Sequence, residues 1–404
     1  MSKQSRNDSL ITEKCKFPYS SGDLLVHFLP TSANEDQNQL SKYPSAKNYP
    51  LRFKDGGVEE LQDKHTSPMQ IVNLRYTLQF DIQLRNAWDK AMNQGYFRYT
   101  LDELQTKVLP GPAGYVAQRN LKRATQRRKP GSFFTVKQPF DGTRFNFNKI
   151  NAKEILFELC PQHGLISQEH NDEESIPSRN LVIINVSPVE YCNILLVPAI
   201  EDCLPQAVTI NGLQLAMEML LLSSQRGFRI GFNSICGFAS VNHLHFHAYC
   251  INYELPSEKW NGKPISGPCM ELVDSPAKGF GFQYVNGDLR CFIKNIYRLT
   301  SLLHEKEIAH NIFITRGKPF QKNNISSDVV VRVLVWPRVS SLGAKDENVL
   351  SVAFCELAGH LIVKNESQFE IITDESISSL IHEISLPESE FKELRQNIQN
   401  LYSE

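Results

Sequence analysis

Nothing in the 404-residue chain is apolar for long enough to cross a bilayer, because no stretch reaches the roughly 18 apolar residues that a spanning helix needs. The opening "MSKQSRNDSLITEKC" lacks an apolar core followed by small residues, so no secretory leader is expected. A surplus of charge of one sign is missing too. With 43 Lys+Arg against 44 Asp+Glu the formal net charge is −1, which removes the general electrostatic argument for a nucleic-acid or membrane partner. Paired cysteines are also absent: the nine cysteines are dispersed, with no CxxC. A scattered, odd set reads as reduced thiols, and a cytoplasmic location is expected.

What is there is an ordinary globular composition, 41% hydrophobic and 22% charged, enough for one large core or two smaller ones. Residues 1–67 are polar and expected to be partly disordered, with "DLLVHFLP" as an apolar island able to dock. The stretch 75–96 reads as a helix ending at Gly95. "TKVLPGPAGYVAQRN" reads as a Pro/Gly turn followed by a strand, "QRNLKRATQRRKP" as a basic loop, and "FNFNKI" and "EILFEL" as strand pieces. Residues 163–180 are acidic and polar, hence a surface loop. "LVIINVSP" and "NILLVPAI" are continuous apolar runs, as buried strands require. Leu213, Ala216, Met217, Leu220 and Leu221 then recur at helical spacing, with Gly227 as the expected stop. After Pro256 the pattern gives a strand, a helix, three strands ("NIFITRG", "VVVRVLVWPR", "GHLIVK") and a last helix opened by Pro387. Hairpins with inserted helices predict an α+β fold of mostly antiparallel sheet.

"NHLHFHAYC", residues 242–250, concentrates three of the chain's eleven histidines. A strand has period two, so His243, His245, His247 and Tyr249 would share one face. Leu244, Phe246, Ala248 and Cys250 would share the other, an apolar one. Neighbours on a face lie roughly 6.6 Å apart. Three readings compete: a polar outer face, a zinc site built from neutral imidazoles, and nucleophilic catalysis by an imidazole nitrogen. The flanks bear on the choice. Ser240 stands three residues before His243 in the small-residue turn "CGFAS", which can cradle phosphate oxygens, and Asn233 lies on the preceding strand. Hydroxyl, amide and imidazoles with no local carboxylate describe an anion-binding pocket.

"SVNHLHFHAY" resembles the signature of the histidine triad superfamily, in which histidines alternate with apolar residues and a serine stands three positions ahead. The longer blocks are narrower. "GYFRYTLDELQTKVLPGPAGYVAQRN", "VKQPFDGTRFNFNKI", "VIINVSPVEYCNILLVP", "DCLPQ", "RIGFNSICGFASVNHLHFHAYCINYELPSEKW", "HNIFITRG" and "AGHLIVK" resemble, in this order, the GDP-hexose phosphorylases. The resemblance runs from about residue 68 to near the C-terminus. It implies a histidine-triad-like fold of two related halves: a catalytic half over 68–255, and a degenerate half over 256–404 that ends in the C-terminal helix. His310 and His360 are then candidate degenerate relics of a duplicated half-fold, expected to be structural rather than catalytic. Plant members, acting on GDP-L-galactose, usually carry Gln at the third triad position. His247 stands there in this chain and leans toward the animal branch, which acts on GDP-D-glucose.

The resemblance implies a nucleotidyltransferase working by two displacements at one phosphorus, with GDP-glucose and inorganic phosphate as substrates and no metal or cofactor. His245 is then the nucleophile and His247 the donor to the leaving oxygen, while His243 orients its neighbour. Ser240 and the backbone of the Gly237–Ser240 turn would hold non-bridging oxygens, and Asn233 would contact ribose or phosphate. Lys107 and Lys149 stand in family blocks as candidate phosphate or guanine contacts. Arg119, Lys122, Arg123, Arg127, Arg128 and Lys129 form a solvated loop, a phosphate-steering patch or an RNA contact, the solvated loop being the first expectation. At Cys192-Asn193 the chain departs from a common superfamily form carrying Gly-His, which argues against a part for that turn in the site. Other readings are a GDP-L-galactose phosphorylase, a nucleotide-sugar hydrolase in which water replaces phosphate, a nucleotide-binding protein without turnover, or a scaffold resting on the serine-rich start.

Overall fold

The computed structural model describes residues 16–21, 24, 68–128, 131–166, 178–321, 329–342 and 350–403. In chain order the first part contains β1 (Lys16–Tyr19), α1 (Pro68–Asn93), β2 (Gln105–Val108), β3 (Val116–Arg119), α2 (Leu121–Gln126), β4 (Ile155–Pro161), β5 (Leu181–Ile184), β6 (Ile194–Val197), α3 (Ile210–Leu222), β7 (Phe228–Asn233) and β8 (Phe246–Cys250). The second part contains β9 (Gly262–Ser266), β10 (Cys269–Leu272), β11 (Phe280–Tyr284), α4 (Leu289–Glu305), β12 (Ala309–Gly317), β13 (Val330–Arg338), α5 (Phe354–Ala358), β14 (His360–Val363), α6 (Glu366–Ile371), α7 (Asp374–Glu383) and α8 (Glu388–Leu401).

An 11-stranded sheet runs β1-β4-β5-β6-β8-β7-β12-β13-β11-β10-β9, and a 3-stranded one runs β14-β3-β2. Every pairing in the large sheet is antiparallel except β1 with β4. Each side of the sheet has three strands, then a helix, then two strands, and the last two enter in reversed order next to the third. β4-β5-β6-α3-β7-β8 and β9-β10-β11-α4-β12-β13 thus share one topology, and the β7–β12 pair joins them at the centre. The small sheet ties the halves again, since β14 pairs parallel with β3.

Period-two patterning divides the side chains of the large sheet. Phe246 and Ala248 of β8, Ile312 and Ile314 of β12, and Val331, Val333 and Val335 of β13 enter the main core with α1, α3, α4 and α8. Tyr249, Phe313, Leu334 and Trp336 point the other way, into a second core under α5, β14, α6 and α7. Both faces of the central strands are covered, which is why β12 and β13 are buried along their whole length and read as unbroken apolar runs. Thr209 caps α3, its hydroxyl accepting from Gly212 N at 3.0 Å.

Several local expectations change. β1 is docked, with the Tyr19 hydroxyl donating to Glu218 at 2.5 Å, so part of 1–67 belongs to the fold. "DLLVHFLP", apart from Leu24, lies outside the described residues, as do 167–177 of the acidic loop. The basic loop contains α2, whose N-cap Asn120 accepts from Arg123 N. "FNFNKI" is a 3-10 turn at Phe147–Lys149 rather than a strand. α3 ends at Leu222 with Ser223 as its C-cap, ahead of Gly227. The β9–β10 hairpin, α5, α6 and α7 have no counterpart in the sequence reading.

Candidate active site

β8 begins only at Phe246, so the histidine stretch is half strand and half approach. His245 and His247 lie side by side, ring centres 5.1 Å apart, and both line a cavity of about 400 Å³. His243 does not line it. It is buried, its Nδ1 accepts the Phe147 N–H at 3.1 Å, and its ring lies against Phe140 and Phe147. Burial lowers its pKa to about 4, against a smaller opposing hydrogen bond at Ile200. The expected face of three imidazoles is therefore a pair with a neutral support beneath it. The support acts through its backbone. The His243 carbonyl oxygen is 2.8 Å from His245 Nδ1. A carbonyl only accepts, so the proton belongs on Nδ1 and the lone pair on Nε2.

Gln206 holds the same residue from the other side, and sequence reasoning missed it. Its Oε1 accepts the His245 N–H at 2.8 Å, while its Nε2 donates to the carbonyls of His245 and Asn233 at 3.1 and 2.9 Å. Asn242 completes the clamp, accepting from Gln206 N at 2.9 Å and donating to Pro139 O at 2.7 Å. The only sequence signal was the recurrence of "DCLPQ" as a block.

Ser240 and Asn233 line the cavity. Asn233 Oδ1 accepts from Asn311 Nδ2 at 2.6 Å and from Phe354 N at 3.0 Å, so the amide group is what that side chain can still donate. Gly237 does not line the cavity. Its amide and that of Ala239 both donate to Ser234 O, and a Cβ at Gly237 would meet Ser234 Oγ at 2.7 Å. The turn's tightness is a packing requirement, and those two amides are spent. Cys236 and Phe238 take left-handed backbone angles in the same turn, with φ of 60° and 75°.

Lys107 and Lys149 are likewise not among the lining residues. Lys107 Nζ donates to Phe369 O and lies 4.4 Å from that ring's centre. Lys149 Nζ donates to Thr143 O at 2.9 Å and Arg144 O at 2.7 Å, bracing the loop that carries Asp141, Arg144 and Phe145 into the cavity. Asn193 does border the site, against expectation. It donates to Ala248 O at 3.0 Å, beside His247, while its Oδ1 accepts from Val189 N at 3.0 Å. His310 lies on β12 and His360 on β14, whereas the topological partner of β8 is β13, "VVRVLVWPR", so neither histidine stands where the paired imidazoles of the first half do.

The basic stretch divides. Arg123, Arg127 and Arg128 reach the cavity, where Arg144 and Lys364 join them. Arg119 pairs with Glu366, and Lys122 with Asp102 and Glu103. Lys129 lies outside the described residues. The second half supplies a wall as well: the Phe354 ring is 5.4 Å from that of His247. Among the described residues, no group of three His, Cys, Asp or Glu is placed to hold a metal ion. Nor is any helix long and apolar enough to cross a membrane.

Fold and site together define a histidine-triad-type α+β protein. A solved structure of yeast Ap4A phosphorylase Apa2 shares the fold, with a TM-score of 0.50 at 13% identity over 76% of this chain and 94% of that one. The family is narrower: residues 79–249 match the "GDPGP1-like, N-terminal domain" and residues 256–404 the "GDPGP1-like, C-terminal domain". The chain is 46% identical to GDP-D-glucose phosphorylase 1 of Danio rerio, over 79% of this chain and 90% of that protein. It is 43% identical to the Homo sapiens protein of the same name (80% and 84%) and 32% to GDP-L-galactose phosphorylase 2 of Arabidopsis thaliana (77% and 74%). The chain belongs to the GDPGP1-like family.

Proposed function

We propose that this chain is a GDP-D-glucose phosphorylase with His245 as its nucleophile. The observation that carries the reading is the hydrogen bond from His245 Nδ1 to the His243 carbonyl, which leaves the Nε2 lone pair on a ring lining the cavity. That nitrogen attacks the α-phosphorus of GDP-glucose. The bond to the β-phosphate oxygen breaks, its electron pair leaves with glucose 1-phosphate, and GMP stays on the imidazole. An oxygen of inorganic phosphate then attacks the same phosphorus, the phosphorus–nitrogen bond breaks, and GDP departs. Splitting one hard displacement into two easier ones is the gain. His247, whose ring centre is 5.1 Å from that of His245, would donate to the bridging oxygen in this reading. Ser240 and the Asn233 amide offer donors to the non-bridging oxygens.

The choice of glucose rests on His247 and on the higher identity to the Danio rerio and human relatives than to the Arabidopsis one. The cytoplasm is the location we infer, on the dispersed cysteines, of which the eight among the described residues are free thiols. His245→Asn should lower turnover by about 10⁴-fold or more with an unchanged melting curve. Guanine-labelled GDP-glucose should leave label on the wild-type protein, discharged by inorganic phosphate. A fully active H245N variant ends the assignment. Comparing kcat/KM for GDP-D-glucose, GDP-L-galactose and GDP-D-mannose tests the sugar.

A further inference from the structure

Asn233 lines the cavity from the end of β7, and a carboxamide there has two ways to lie. Either its nitrogen or its oxygen can point at a bound phosphate. The two are equal in shape and opposite in effect, since an N–H stabilises a phosphate oxygen and a carbonyl repels it. The choice is made by the second half of the chain. Asn311 of β12 stands in register with Asn233 and is fully buried. Its Nδ2 donates to Asn233 Oδ1 and to Gly237 O, both at 2.6 Å. Its Oδ1 accepts from Arg338 Nη1 at 3.4 Å, and that buried guanidinium at the end of β13 also donates to Val352 O.

The ends of this network admit one polarity only. The Gly237 carbonyl can only accept, so the Asn311 atom facing it is nitrogen. The Arg338 guanidinium can only donate, so the Asn311 atom facing it is oxygen. The Phe354 N–H can only donate as well, and it lies 3.0 Å from the Asn233 carboxamide, so the atom standing there is Oδ1. Two donors from the second half thus hold the Asn233 oxygen, and its nitrogen is left for the cavity. Asn233 and His245 are neighbours at that point: the single nitrogen Gln206 Nε2 donates to Asn233 O at 2.9 Å and to His245 O at 3.1 Å.

We propose that Asn311 is a positioning residue of the reaction, supplied by the half whose last sheet strand carries no histidine: it holds Asn233 with the amide nitrogen turned to the α-phosphate. The inference rests on the phosphorylase reading above and adds to it a residue that does not itself line the cavity. Asn311→Asp keeps the shape of the side chain and an oxygen for Arg338. As a carboxylate it has no hydrogen for Asn233 Oδ1. The Asn233 carboxamide then turns over to give its nitrogen to the new carboxylate, and its oxygen meets the phosphate.

The test is a double-mutant cycle on the full chain, read as kcat and KM for the phosphorolysis of GDP-D-glucose. Asn311→Asp should lower kcat by about 10- to 100-fold with KM for the sugar nucleotide within about threefold of wild type, as expected for losing one donor to an oxygen that gains charge in the transition state. Asn233→Ala should lower kcat by a similar factor. In the Asn233→Ala background, Asn311→Asp should cost about threefold or less, because the group it acts through is gone. A merely structural role would cost the same in both backgrounds. Asn311→Ala introduces no buried charge and runs the same cycle if Asn311→Asp does not fold. Full kcat in the Asn311 variants, or a loss as large in the Asn233→Ala background as in the wild type, would overturn the positioning role and leave the His245 mechanism standing. A wild-type protein that does not convert GDP-glucose and phosphate to GDP and glucose 1-phosphate would overturn the phosphorylase reading, and this role with it.

Discussion

At the scale of single residues, Gln206 decides how His245 is presented. One carboxamide spans the His245 peptide, accepting its N–H at 2.8 Å and donating to its carbonyl at 3.1 Å. An amide carries the acceptor and the donor on one rigid group, which a carboxylate or a thioether does not. Gln206→Met keeps the shape and leaves the His245 N–H and two carbonyls without that partner inside the protein, a cost of about 1–3 kcal/mol. Gln206→Glu keeps the acceptor but turns a carboxylate toward the carbonyls of His245 and Asn233. We expect Q206M to lower kcat about 10- to 100-fold with KM for the sugar nucleotide nearly unchanged, and Q206E to be worse on both kcat and melting temperature. Equal kcat in all three proteins would show that the clamp is packing alone. The histidines were legible in the sequence because alternation is local. Gln206 was not, since its partner is 39 residues away and nothing local about "LPQ" says where its amide points.

At the scale of elements, the third triad position is set by a contact between the two halves. Gly231 of β7 is in register with His247 of β8. A Cβ at Gly231 would stand 2.1 Å from the Phe354 ring, and that ring packs 5.4 Å from His247. The missing side chain is what lets α5 seat on the sheet. Gly231→Ala should push Phe354 off β7, costing about 1–3 kcal/mol as overpacking does. Activity should fall further than that loss of stability explains, because the wall beside His247 moves. Phe354→Leu, smaller and flexible, should restore part of it when combined with G231A. The measurements are urea midpoints and kcat for both variants and the pair; additive effects would mean that the contact does not couple them. Neither partner was legible. α5 has five residues, too short for a helical period to register, and a lone glycine inside a strand pattern says only that something comes close. The long runs "NIFITRG" and "VVVRVLVWPR" could be read because both sheet faces are covered along them. The early start assigned to the triad strand failed because Leu244 N turns aside to Leu204 O and leaves the ladder until Phe246.

At the scale of the whole molecule, two units of one topology close into a continuous sheet, and only one kept histidines on its last strand. The related halves were legible through the family blocks; their joint at β7–β12 was not, since register between distant strands leaves no local trace. The contacts between the halves, at β7–β12 and at β3–β14, bury titratable groups with measurable consequences. His310 on β12 is fully enclosed and stacked on Phe232, and burial lowers its pKa to about 4. His360, between Tyr249 and Gln118, is lowered to about 3, first by burial and then by Arg229. An unfolded histidine titrates near 6.5. Between about pH 6.5 and 4 the unfolded chain therefore binds protons that the folded one refuses. Stability contributed by each neutral imidazole is intact above that window and drains away as pH falls through it, by up to about 1.4 kcal/mol per pH unit per histidine. Asp81 and Glu356, raised by burial, act in the opposite sense, so the net acid slope of the wild type is not diagnostic. The difference between two proteins is. His310→Gln keeps a polar side chain near the Ile308 carbonyl, which lies 3.1 Å from His310 Nδ1, and removes one titration. H310Q should be less stable at neutral pH but lose stability more slowly on acidification, by up to about 1.4 kcal/mol per pH unit between 6.5 and 4. Urea denaturation at half-unit steps over that range measures it. Parallel curves for the two proteins would mean that His310 takes up its proton inside the fold.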